Sequence, residues 1–110
     1  MAVTYKVLGQ SAPSANSTSN VYIVPAATQA VVSTIIVTNR NNNANATYRI
    51  AVQPGGATLA NQHYIAYDAT VTSLDSAALS LGLSLGNTDV LSVSSANANI
   101  SFSVFGVEIT

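Results

Sequence analysis

A chain of 110 residues suffices for one domain with a single core and needs no disulfide or metal staple to fold. It holds no cysteine, which excludes a disulfide framework, thiolate metal sites and a cysteine nucleophile. Charged residues make up 6% against 48% apolar, far from the roughly 25% charge of ordinary domains, and the three basic ones, Lys6, Arg40 and Arg49, are too few to bind a run of phosphates, so nucleic acid is not an expected partner.

With a net charge of −1, little repulsion keeps copies apart, and such a polar but uncharged surface reads as one made to be buried in an assembly. No unbroken apolar run approaches the roughly 20 residues that span a bilayer, so no membrane is expected. The opening residues show no secretory pattern, and the expectation is a protein made in a cytoplasm.

In chain order, Val3, Tyr5 and Val7 alternate with Thr4, Lys6 and Leu8, a period-two strand over 3–8. Residues 9–20, GQSAPSANSTSN, offer nothing to bury and read as a linker or surface arm. The division that follows is an N-terminal strand and flexible arm over 1–20 and a β-sandwich domain over 21–110. At about 3.3 Å per residue the arm reaches roughly 40 Å, so strand 3–8 pairs either within its own domain or with the sheet edge of a neighbour.

Residues 21–24 form a strand stopped by Pro25. Residues 30–38, AVVSTIIVT, are β-branched and apolar on both phases, which predicts a central strand. Residues 31–68 read as a β-hairpin around an asparagine-rich loop followed by a third strand, and they hold His63, Tyr48, Tyr64 and Tyr67. Residues 46–53 form the hairpin's second strand, ended by Pro54-Gly55-Gly56, and 63–67 another; Val71 starts a short one. Residues 77–85, AALSLGLSL, alternate too strictly for a helix. A turn at 86–89 leads into 90–93, and the last strand, 99–109, changes phase around Gly106, which predicts a bulge there.

Eight or so short strands with turns between them predict an all-β, antiparallel β-sandwich of jelly-roll or immunoglobulin-like connectivity. Its expected core contains Ile35, Val37, Ile50, Val52, Leu81, Leu83, Phe102 and Val104.

No constellation specifies a reaction. His63, Asp68 and a serine form a triad only on paper, because no nucleophile elbow or oxyanion-hole glycine pattern accompanies them. Asp68, Asp75 and Asp89 read as turn acids, not metal ligands, and no cofactor is implied. Pro54-Gly55-Gly56 lacks the Lys-Ser or Lys-Thr of a phosphate loop. Lys6, Glu108 and Asn99 have the residue types of a lysine–asparagine isopeptide crosslink. Candidate partner contacts are Val3, Tyr5 and Val7 on the first strand, and Tyr64 and Tyr67, which with Tyr48 form either core or an aromatic platform.

Val21-Tyr22-Ile23-Val24-Pro25-Ala26, Ile35-Ile36-Val37-Thr38-Asn39-Arg40, Tyr48-Arg49-Ile50-Ala51-Val52, His63-Tyr64-Ile65-Ala66-Tyr67-Asp68, Thr88-Asp89-Val90 and Phe105-Gly106-Val107-Glu108-Ile109 together resemble small virion structural proteins of tailed bacteriophages, of the cyanophage and marine-phage type. The resemblance implies a non-enzymatic capsid decoration, or cement, protein located in the virion and made in the host cytoplasm. Its implied partners are further copies of itself, as a trimer or dimer, and other virion proteins such as the major capsid protein. A tail, baseplate or fibre component is the alternative, and a carbohydrate-binding module a further one.

Overall fold

The computed structural model describes residues 2–110 and contains eight strands: β1 (Val3–Ser11), β2 (Ser19–Ile23), β3 (Gln29–Asn39), β4 (Ala46–Gln53), β5 (Tyr64–Val71), β6 (Ser76–Leu85), β7 (Val90–Ser95) and β8 (Ile100–Ile109). They form two antiparallel four-stranded sheets, sheet I in the order β1-β8-β3-β6 and sheet II in the order β2-β7-β4-β5. The all-β sandwich expected from the alternation is therefore present. Its connectivity is that of a jelly roll: β1 pairs with β8, β2 with β7, β3 with β6 and β4 with β5, as in one long hairpin folded over on itself.

That wrapping corrects the hairpin expected over 31–53. β3 lies in sheet I and β4 in sheet II, so the asparagine-rich loop carries the chain from one sheet to the other. Buried Asn39 holds the crossing: its amide donates to the carbonyls of Ala44 (3.0 Å) and Val71 (3.2 Å), and its side-chain oxygen accepts from the Asn41 amide. β3 is central, as expected, between β8 and β6.

The separation of residues 1–20 from the rest also changes. Strand β1 runs on to Ser11 and pairs with β8 from Val3↔Ile109 to Ser11↔Phe102, so the expected linker is strand in its first three residues and β1 is an edge of sheet I. Gly9 is why β1 can close onto sheet II, because a Cβ there would lie 1.9 Å from the Val21 carbonyl oxygen.

The two inner faces meet in a core of Val24, Val32, Ile35, Val37, Tyr48, Ile50, Leu91, Val93, Ile100, Phe102 and Val104, among others. Phe102, 1% exposed, packs edge-on against the Tyr48 ring with centroids 6.3 Å apart. Five of the eight expected core residues are fully buried; Val52, Leu81 and Leu83 are only half-buried. Leu81 and Leu83 lie on β6, the edge strand of sheet I, where a second covering neighbour is missing on one side.

Candidate functional site

Strand β8 carries the feature on which the outer surface turns. Ile100, Phe102, Val104 and Gly106 are buried in unbroken alternation, so β8 has no phase change. The bulges lie in its neighbours instead, as register shifts between Val7 and Gly9 on β1 and between Val32 and Thr34 on β3. Gly106 sits between them with no space for a side chain: a Cβ would lie 2.1 Å from the Val31 carbonyl oxygen.

It follows that Phe105, Val107 and Ile109 point away from the core. The register sets Val3 beside Ile109, Tyr5 beside Val107 and Val7 beside Phe105, with Val31 beside Val107 on the other flank. Residues directly opposite in a ladder share a face, so the outer face of sheet I presents a cross-strand apolar patch of Val3, Tyr5, Val7, Phe105, Val107, Ile109 and Val31. Val3 is 50%, Tyr5 83% and Val7 47% exposed. A contiguous apolar patch on a surface is a candidate for an interaction site.

At the margin of this patch, on the inner side, a polar cluster ties the sheets together. Tyr22 of β2 donates its hydroxyl to Glu108 of β8 (2.6 Å), and Lys6 of β1 pairs with the same carboxylate (3.2 Å). Glu108 is held below its ordinary pKa, first by the Tyr22 hydrogen bond and then by Lys6, against the opposing effect of desolvation. Burial, reinforced by the adjacent carboxylate, raises the Tyr22 phenol. The isopeptide set is not assembled: Lys6 lies opposite Gly106, whereas Asn99 precedes the far end of β8, where its carbonyl accepts from the Arg40 amide.

Sheet II has a different outer face. Tyr64 and Tyr67 of β5 meet edge to face, centroids 4.9 Å apart at 83°, and Tyr67 is 57% exposed. Arg49 stacks over the Tyr67 ring at 4.0 Å and grips Asp68 with two hydrogen bonds of 2.7 and 3.2 Å. Asp68 takes a left-handed backbone (φ 53°) to do so, and the guanidinium lowers its carboxyl pKa. A shallow pocket of about 280 Å³ opens beside them, lined by Thr18, Thr47, Arg49, Tyr64, Asp68 and Ser94 among others.

Tyr48 is not part of a platform, since it is buried in the core, and the perpendicular pair Tyr64–Tyr67 gives no flat stacking surface. His63 is likewise structural in its geometry: its Nδ1 accepts the Ala60 amide (3.0 Å), so that atom cannot donate to a triad carboxylate, and Asp68 is committed to Arg49. Asp75 and Asp89 cap turns, accepting from Ser76, Thr72, Gly55 and Gly86. Among the described residues no group of three or more His, Cys, Asp or Glu is placed to hold a metal ion, and no helix is long and apolar enough to cross a membrane.

No family model, curated protein or solved structure matches this chain. The geometry therefore stands alone. Of the residues singled out in the sequence, Val3, Tyr5 and Val7 come together on one exposed face, and Tyr64 and Tyr67 on the opposite one. Phe105, Val107 and Ile109 are the part of the first face that alternation alone hid, because an apolar residue on both phases of a strand reads as a slip rather than as two used faces.

Proposed function

We propose that the protein is a non-enzymatic structural component of a tailed-phage virion, a capsid decoration protein that seats many copies on the coat lattice through the outer face of sheet I. The single observation that carries the reading is the cross-strand apolar patch of β1, β8 and β3, made of uncharged side chains, on a molecule with only 6% charged residues. Supporting it are the resemblance noted above and the jelly-roll connectivity, which recurs in viral capsid and lectin domains; connectivity is support by analogy, and the site bears the argument. The tail, baseplate or fibre alternative uses the same face and differs in copy number. The perpendicular tyrosines of sheet II give less to a carbohydrate-binding reading, which stacks sugar rings on flat aromatic surfaces.

The test is binding of the purified protein to particles that lack it, with bound copies counted by quantitative mass spectrometry. Hundreds of copies per particle are expected, with Val107→Asp abolishing binding and Arg49→Ala leaving it intact. A handful of copies moves the protein to the tail. Binding unaffected by Val107→Asp removes the basis of the reading.

A further inference from the structure

The free edge of β1 has a defined polarity. The Ala2 amide donates to the Thr110 carbonyl and the Thr110 amide to the Ala2 carbonyl, both at 2.9 Å. Ala2 and Thr110 are thus a hydrogen-bonded pair, and in an antiparallel ladder such pairs alternate with pairs whose backbone groups point away. With the register Val3↔Ile109, Thr4↔Glu108, Tyr5↔Val107 and Lys6↔Gly106, Thr4 and Lys6 turn their N–H and C=O groups to β8. Val3, Tyr5 and Val7 turn theirs outward, where β1 has no strand beside it. The same three residues carry the exposed apolar side chains.

We propose that this edge pairs with the β1 edge of a second copy, antiparallel about a two-fold axis at Tyr5, joining the two copies of sheet I into one continuous sheet. Tyr5 then lies opposite Tyr5 of the second copy and Val3 opposite Val7, and the three outward residues on each copy exchange all their free backbone groups. The register is self-complementary in charge as well, since Lys6 falls opposite Thr4 rather than another Lys6, and Glu108 already neutralises it from within the chain. A net charge of −1 per copy opposes the approach only weakly. The bulge after Val7 ends the straight edge where the pairing ends.

The other edges fit a second copy less well. β6 shows Ser76, Ala78, Ser80, Gly82 and Ser84 outward and so buries little, β2 is five residues long with a register shift, and β5 is broken by two shifts, one between Ala66 and Ala69 and one between Tyr64 and Ala66. Joining the β1 edges also doubles the apolar patch. The pairing deepens the docking reading above and rests on it for its purpose, but its test uses the isolated protein, so failure of one is distinguishable from failure of the other.

The chain has no cysteine, so single cysteines report without background. Tyr5→Cys should give a covalent dimer under mild oxidation, because opposed residues in a hydrogen-bonded pair stand about 5.5 Å apart at Cα, within disulfide reach. Val3→Cys alone and Val7→Cys alone should not, their two copies being separated by four residues, about 14 Å, whereas a mixture of the two should cross-link to each other. Tyr5→Pro should leave β8 pairing and folding intact, since the Tyr5 amide faces outward, yet weaken dimerisation by about tenfold or more through two lost hydrogen bonds. Cross-linking that is equal at all three positions, absent from Tyr5→Cys at high concentration, or a Tyr5→Pro protein that folds and dimerises unchanged would overturn the proposal.

Discussion

Single residues with no slack decide whether the sandwich closes. Phe102 is surrounded by both sheets and touches Tyr48, so Phe102→Ala should destabilise by about 3–5 kcal/mol in urea unfolding, the range for deleting a buried aromatic ring; a near-zero change would mean the two sheets are not packed at this point. Gly106→Ala is the opposite kind of fault. Its Cβ would meet the fixed backbone of Val31, and overpacking against a main chain costs about 1–3 kcal/mol or more, although the change would be conservative on an ordinary strand.

Glu108 sets the acid limit of the same region. Because Tyr22 and Lys6 hold its folded pKa below the unfolded value, its contribution is present at neutral pH, above the unfolded value of roughly 4.3. It is lost as pH falls through the folded value, where a proton on the carboxylate opposes the contacts with Lys6 and Tyr22. Asp68 on the opposite face has the same sign, through Arg49. Melting temperatures measured from pH 7 to pH 3 should fall, and Glu108→Gln should melt lower at pH 7 with a flatter acid limb. A variant whose pH profile parallels the parent would show that Glu108 is not a titrating contributor.

Among the elements, β1 shows how period-two reading succeeds and where it stops. Alternation placed Val3, Tyr5 and Val7 on one face, which is the face observed, but the polar tail of the strand, Gly9 to Ser11, has no hydrophobic signal and joins the ladder through backbone pairing, the close approach to Val21 and side-chain hydrogen bonds from Gln10 to Ser103 and from Ser11 to Ser19. Since β1 lies along β8 in its own sheet, deleting residues 1–8 should lower the melting temperature by roughly 5 °C or more, the shift that about 1 kcal/mol produces in a domain of this size. An unchanged melting transition would mean that the body does not use this strand. β8 is the converse case. Phe105, Val107 and Ile109 looked like a slip because their neighbours Phe102 and Val104 also demanded burial, and only the unbroken burial pattern separates a bulge from a strand with two apolar faces.

For the whole molecule, period-two alternation tells which side chains point inward but not which sheet a strand joins. The sandwich was therefore legible while the jelly-roll wrapping was not, and residues 31–53 looked like a local hairpin although Asn39 pins a crossover between sheets. The same gap left half of the candidate face unread, since Val107 meets Tyr5 and Val31 only through pairing between strands distant in sequence. What results is a body with two unlike outer surfaces: sheet II carries Arg49 bound to Asp68 and stacked on Tyr67, with Ile23 and Ile65 exposed on its two edge strands, and sheet I is apolar around β1 and β8.

The two faces each carry one strongly exposed tyrosine, which makes the comparison internal. Hydroxyl-radical footprinting of the dilute protein and of the protein bound to particles that lack it, read at Tyr5 and Tyr67, tests the proposed docking face most directly. Assembly should suppress labelling of Tyr5 and leave Tyr67 as reactive as in the free protein. Suppression at Tyr67 with Tyr5 unchanged would contradict it and make sheet II the face through which the molecule binds.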